Sequence, residues 1–106
     1  MKTTEDMFPI EAIATVMTRR LVGDFSDVHR LFEHAFGRPV WTHELAALSV
    51  WQQAADILAS RCPVALEIEP WDESVPERTD AMRAYLAAYT DRLRARFPRP
   101  IEVLAT

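Results

Sequence analysis

The sequence predicts a mainly helical α+β domain, with four to five helices and a small two-stranded sheet. Long segments repeat apolar residues at i, i+3, i+4 and i+7, which is the spacing of an amphipathic helix. Val64–Ile68 instead alternates apolar and other residues as a half-buried strand does, and Ile101–Leu104 is a second short, mostly apolar segment. The 106 residues suffice for one hydrophobic core, so we expect a single globular domain, 1–106, with residues 1–7 frayed.

The first helix is predicted to begin at Pro9, because proline is favoured in the first turn of a helix. Its apolar stripe consists of Ile10, Ile13, Ala14 and Met17. We expect this helix to end near Thr18–Arg20, before a turn at Gly23.

The second helix, Ser26–Phe36, has the clearest punctuation in the chain. Ser26 or Asp24 can cap its N-terminus, and Gly37 can take the left-handed conformation that ends a helix. Pro39 disfavours an immediate helical restart, so residues 38–41 should be extended. The buried stripe is predicted to be Val28, Leu31, Phe32 and Ala35.

The segment Thr42–Arg61 has helical spacing throughout, with Thr42 as a candidate cap. Ser49 and Gln52 also form a capping box, so the segment is either one long helix or a helix broken near Ser49, and we favour the break. Its broad apolar side consists of Leu45, Leu48, Trp51, Ala55 and Leu58. Pro63 should stop this helix.

The last helix is predicted to start at a second capping box, Ser74 to Glu77, and to end before Pro98. Beyond it, Ile101–Leu104 is expected to pair with Val64–Ile68. The predicted core consists of Ile13, Met17, Leu31, Phe32, Leu45, Leu48, Leu58, Leu86, Tyr89 and Leu93.

Composition argues against several classes of function. A net charge of −4 disfavours binding to nucleic acid through overall charge, and a single cysteine cannot form an intramolecular disulfide. No apolar run reaches the roughly 18 residues of a membrane helix, and residues 1–10 do not resemble a secretory signal. We therefore expect a cytoplasmic protein without a membrane partner and without a cofactor.

Histidines at helical spacing raise the question of a metal site. His29 and Glu33 stand at i and i+4, and His43 and Glu44 follow after the predicted turn. His34 points to another side of the helix than His29, so three ligands do not converge. No metal site is predicted.

The sequence also lacks a convincing candidate for a catalytic nucleophile. Cys62 comes at a helix C-terminus, where the negative end of the dipole raises a thiol pKa, so a buried structural cysteine is the better interpretation. No serine lies in a glycine-flanked elbow, and no pair of carboxylates has an enclosed setting. We do not expect an enzyme.

Charge is segregated along the second half of the chain. Residues 67–80 contain six acidic residues and one arginine, and they include a tryptophan that could be exposed. An acidic surface with an aromatic residue can dock a basic partner, although a solvated charged face remains the alternative. The predicted partner-binding residues are Glu67, Glu69, Trp71, Asp72, Glu73 and Glu77. A nucleic-acid-binding alternative would use Arg92, Arg96 and Arg99, which we expect to share one face.

The first half of the chain carries four short motifs in order. They are Phe8-Pro9-Ile10, Thr18-Arg19-Arg20-Leu21, a helix ending in Gly37, and Trp41-Thr42-His43-Glu44-Leu45. In this order they resemble an uncharacterised family of short phage and prophage proteins. Arg19 stands where that pattern has glycine, and Glu44 stands where it often has glutamine. The resemblance implies a phage or mobile-element origin and supplies no reaction or catalytic residue.

These observations together suggest a small phage or mobile-element protein that acts by binding a host protein complex. An inhibitor of a host defence complex such as a CRISPR–Cas effector has this size and charge, which is an analogy of class. Two alternatives stay open: a phage structural or assembly component, and a nucleic-acid-binding regulator. The oligomeric state is also open, and a homodimer is compatible with the sequence.

Overall fold

The computed structural model describes residues 6–104. In chain order the elements are β1 (Met7–Phe8), α1 (Ile10–Thr18), α2 (Phe25–Phe36), a first 3-10 helix (Thr42–Ala46), α3 (Leu48–Arg61), a second 3-10 helix (Pro63–Glu67), α4 (Asp80–Arg96) and β2 (Ile101–Glu102). This arrangement confirms the predicted class, mainly helical α+β with a small two-stranded sheet. Fraying of residues 1–5 lies outside the described residues. Within the described part, no helix combines the length and the apolar character needed to cross a membrane.

The sheet joins the two ends of the described chain. β1 and β2 are antiparallel, with Met7 opposite Glu102 and Phe8 opposite Ile101. The Val103 N–H donates to the Asp6 carbonyl at 2.9 Å and extends this pairing. The strand at Ile101 is thus confirmed, but the prediction that it pairs with Val64–Ile68 is wrong. Met7, which the sequence analysis placed in the frayed segment, lies in β1.

Four residues of the predicted strand Val64–Ile68 instead lie in the second 3-10 helix, and Ile68 follows as its extended C-cap. Pro63 occupies its first turn, where the fixed φ of proline suits a helical conformation. The Ala65 N–H donates to the Cys62 carbonyl at 2.9 Å, and Ala65 is buried while Leu66 is 70% exposed. A run of five residues is too short for alternation to distinguish a strand from a helical turn.

The first two helices follow their sequence signals closely. α1 begins after Pro9 and ends at Thr18, and Arg19 then takes the left-handed conformation with φ of 61°. Asp24 caps α2 by accepting a hydrogen bond from the Ser26 N–H at 2.9 Å, and Gly37 ends it with φ of 68°. All four residues of the predicted α2 stripe are at most 2% exposed.

The segment Thr42–Arg61 contains a break between two helices, as the sequence analysis favoured, but the break does not lie at Ser49. The break falls at Ala47, which is the N-cap of α3 and has no side-chain cap, so the predicted capping box is not used. Leu48 therefore lies in the first turn of α3 and is 71% exposed, and its assignment to the core was wrong. Trp51 reaches the core instead, with its ring edge-on to Phe32 at 4.8 Å.

The last helix starts later than predicted. Thr79 is its N-cap and accepts from the Met82 N–H at 3.1 Å. The expected capping box is wrong because both of its side chains bond elsewhere. The Ser74 hydroxyl donates to the Asp72 carboxylate at 2.6 Å, and the Glu77 carboxylate pairs with Arg20.

Two adjoining apolar clusters form the core. The first lies among β1, α1, α2, α3 and the second 3-10 helix, and Val103 of the C-terminal segment completes it. The second lies under α4. Its buried members are Ile10, Ala14, Val22, Tyr89 and Leu93. Of the predicted core, six residues are buried, namely Ile13, Leu31, Phe32, Leu58, Tyr89 and Leu93, while Met17, Leu45 and Leu86 are half-buried.

Candidate protein-interaction surface

Trp71 lies in the connection between the second 3-10 helix and α4. Its ring packs edge-on against Tyr85 at 4.7 Å and against Tyr89 at 5.2 Å. The indole Nε1 is buried and has no hydrogen-bond partner among the described residues. Trp71 is therefore half-buried, whereas the sequence had allowed it to be exposed.

Arg20, at the end of α1, lies over this tryptophan and pairs with two residues of the acidic segment. Its guanidinium carbon is 6.0 Å from the Trp71 ring centroid, and its nitrogens bond to Glu73 and Glu77. The hydrogen bonds that Arg20 donates to Glu77 and Glu73 raise the Arg20 pKa. Sequence reasoning missed Arg20, because more than fifty residues separate it from both carboxylates.

The two predicted binding sets, acidic and basic, contact each other. Arg92 makes two hydrogen bonds to the Glu69 carboxylate, at 2.9 and 2.5 Å, and these lower the Glu69 pKa. Arg96 pairs with the Glu67 carboxylate at 3.2 Å and also donates to the Glu67 carbonyl. Arg99 lies beyond the end of α4, so its assignment to one helical face with Arg92 and Arg96 was wrong.

Local hydrogen bonds hold the backbone around Trp71. The Asp72 carboxylate accepts from the Ser74 N–H and hydroxyl, which lowers the Asp72 pKa. The Asp72 N–H donates to the Tyr85 hydroxyl at 2.8 Å. The Tyr89 hydroxyl donates to the Glu69 carbonyl, and burial raises the Tyr89 pKa to about 12. The connection is thus fixed to α4 at both sides of Trp71.

We call this region the Trp71 surface. It consists of Glu67, Glu69, Trp71, Asp72, Glu73 and Glu77 together with Arg20, Arg92 and Arg96. Five carboxylates face three guanidinium groups, so the surface keeps a net charge of −2. The side chains of Glu73 and Glu77 are 65% and 63% exposed. Two open hollows, of about 300 and 360 Å³, share Trp71 as a wall.

One strongly exposed aromatic residue was not predicted as a site. Trp41, at the start of the first 3-10 helix, is 70% exposed. Its N–H donates to the Glu44 carboxylate at 3.1 Å, and Glu44 also pairs with Arg38 at 3.2 Å. This hydrogen bond lets a glutamine or a glutamate serve at position 44, since both carry the acceptor oxygen. The sequence signal was an aromatic residue in an extended connection.

The histidines on α2 bond to backbone carbonyls. His29 Nε2 lies 2.5 Å from the Val40 carbonyl oxygen, and His34 Nε2 lies 2.7 Å from that of Val103. Because a carbonyl oxygen only accepts, each ring donates through Nε2. In residues 6–104, no three His, Cys, Asp or Glu side chains come together as metal ligands. Cys62 is buried, as predicted, and desolvation raises its pKa.

Comparison with known proteins places the first part of the chain in a family. No curated protein and no solved structure matches the chain. A family match covers residues 8–67, more than half of the chain. This range runs from β1 to the end of the second 3-10 helix and contains every buried residue of the first core cluster except Val103. The Trp71 surface lies mostly beyond it. The chain belongs to the family described as Domain of unknown function (DUF7736).

Proposed function

We propose that the protein acts by occupying a surface of another protein, through the Trp71 surface. The observation that carries the proposal is the display of exposed carboxylates beside a partly buried aromatic cluster. Glu73 and Glu77 project from a connection that is fixed to α4, so a partner meets an ordered acidic surface. Because this surface is already ordered before a partner binds, less conformational entropy is lost on binding.

The partner surface would be basic. Its lysine or arginine side chains would approach Asp72, Glu73 and Glu77, and its apolar side chains would enter the hollows on either side of Trp71. The ion pairs with Arg20 are a competing interaction, because a partner cation must share or displace the arginine. Exposed charges of this kind mainly increase the association rate and select the partner.

In a more specific form, we propose that the protein is encoded by a phage or mobile element and inhibits a host defence complex, such as a CRISPR–Cas effector. The acidic surface would lie where nucleic-acid phosphates otherwise bind, in the cytoplasm of the host. The net charge of −4 and the four ordered motifs of the first half support this form.

The nucleic-acid-binding alternative has less support. Arg92 and Arg96 already bond to the Glu69 and Glu67 carboxylates, so a phosphate would have to compete with both acids. If this alternative holds, affinity for DNA should fall steeply with salt and should depend on Arg92 and Arg96.

The test is an inhibition and binding assay with a purified, guide-loaded CRISPR–Cas effector. The protein should reduce target-DNA binding, and its association rate with the effector should fall as salt rises. In the double variant Glu73→Gln and Glu77→Gln, association should slow by about three- to tenfold, because two rim charges are lost.

The matched control is Asp56→Asn with Asp91→Asn, which removes the same charge from exposed positions outside the Trp71 surface. If both double variants bind like the wild type, the Trp71 surface is a solvated face. If the effector is not bound at all, the more specific form of the proposal fails.

A further inference from the structure

We propose that the hollow between Trp41 and Glu33 is a second docking point, which takes an arginine side chain of a protein partner. The hollow lies in the part of the chain that matches the family, whereas the Trp71 surface lies mostly outside that part. The proposal therefore does not depend on the proposed function of the Trp71 surface. It rests on the rigid backbone beside Trp41, on the shape of the hollow and on its charge.

The backbone beside Trp41 is held by two side chains of α2. The Val40 N–H donates to Glu33 Oε2 at 2.9 Å, and His29 donates to the Val40 carbonyl at 2.5 Å. Val40 itself is buried, so this residue anchors the loop on the first core cluster. Together with the bond from the Trp41 N–H to Glu44, these contacts fix the backbone that displays the indole ring.

The indole is displayed toward solvent although its backbone is tightly held. Trp41 is 70% exposed, whereas Trp51 and Trp71 are both half-buried. An exposed tryptophan costs solvation free energy, which a partner can recover by covering the ring. The hollow beside it measures about 340 Å³. Its walls are His29, Glu33, Pro39, Val40, Trp41 and Thr42.

The charge of the hollow suits a cation. Glu33 Oε2 accepts the Val40 N–H and lies 3.9 Å from His29 Nε2, and within residues 6–104 no hydrogen bond or ion pair uses Oε1. Arg38, next to the lining residue Pro39 in the chain, is paired with Glu44 at 3.2 Å, so its charge is largely compensated. A guanidinium group can stack on an indole and bond to a carboxylate at the same time, which an ammonium group does less well. These features favour arginine over lysine.

The test is a titration of the nitrogen-15-labelled protein with the peptide acetyl-Gly-Arg-Gly-amide, followed by NMR. The three tryptophan indole N–H signals report separate places, and Trp41→Phe assigns the signal of Trp41. The Trp41 signal should shift with a dissociation constant in the ~millimolar range, while those of Trp51 and Trp71 stay in place. Glu33→Gln keeps an acceptor for Val40 and should weaken binding by about three- to fivefold.

The matched ligand is the same peptide with citrulline, which keeps the shape of arginine without its charge. It should bind more weakly than the arginine peptide by about the same factor. Equal shifts with both peptides, or an unmoved Trp41 signal, would overturn the proposal. A Trp41 signal that shifts with protein concentration alone would point to a second copy of the chain and would also overturn it.

The titration also separates this site from the Trp71 surface. The double variant Glu73→Gln and Glu77→Gln should titrate like the wild type, because neither residue lines the hollow at Trp41. Loss of the peptide response in that variant would show that overall acidity, not the hollow, attracts the arginine.

Discussion

Arg19 is a residue whose conformation suits glycine better than any other amino acid. It follows α1 with φ of 61° and ψ of 24°, and its N–H donates to the Thr15 carbonyl at 2.8 Å. This is the left-handed helix end at which a Cβ atom is unfavourable. The same geometry would favour a glycine at this position, which is the residue that the pattern considered in the sequence analysis has there. We therefore expect Arg19→Gly to be more stable than Arg19→Ala.

The size of the difference follows from two opposing effects. The left-handed conformation costs a residue with a Cβ about 1–2 kcal/mol, and glycine avoids this cost. Glycine loses about 0.4–1 kcal/mol more than alanine in unfolded-chain entropy. The net advantage of glycine should be about 0.5–1 kcal/mol, or about 2–6 °C in melting temperature. Both variants lose the hydrogen bond from Arg19 to Gln52, so it cancels in the comparison.

The assay is urea unfolding followed by far-UV circular dichroism for the two variants. The matched control is Ala84→Gly, at an exposed position inside α4. There glycine should destabilise the fold by about 0.5–1 kcal/mol, which is the opposite sign. If Arg19→Ala is as stable as Arg19→Gly while the control behaves as expected, α1 does not end in a left-handed residue and the reasoning is refuted.

Two further predictions concern stability. Trp71→Ala should lower the free energy of unfolding by about 2 kcal/mol, because the ring packs on Tyr85 and Tyr89, whereas Trp41→Ala should change it by less than about 0.5 kcal/mol. Equal losses in chemical denaturation would contradict these positions of the rings. The hydrogen bonds from Arg92 lower the pKa of Glu69 in the folded state, so on acidification the unfolded chain binds a proton at this residue first. The stability that the ion pair contributes is therefore present above the ordinary glutamate pKa of 4.5 and is lost as the pH falls through the lowered pKa. Acid titration of the unfolding free energy should show a smaller loss in Glu69→Gln, and an unchanged loss would count against the ion pair.

Helices were predictable where their signals are local. α2 carries its cap, its stripe and its terminating glycine within a few residues of one another, so neighbouring side chains and backbone decide its bounds. The same holds for α1. The break before α3 was also favoured, but the capping box that suggested it is not used, and α3 begins at Leu48 after the N-cap Ala47. The sequence also showed that residues 67–80 are acidic, but it did not show which arginines would lie beside them.

What the sequence determined by itself is therefore the class of fold, the four helices and most of their buried faces. Only the tertiary structure decided that β2 pairs with β1, that Pro63–Glu67 is a 3-10 helix and not part of a strand, and that Arg20 covers Trp71. Two of these features join residues that are far apart in the chain. In the third, packing on the core overrides a weak local preference for a strand. The charge of the candidate surface changed for the same reason: Arg92 and Arg96 compensate Glu69 and Glu67 because folding places α4 beside the second 3-10 helix.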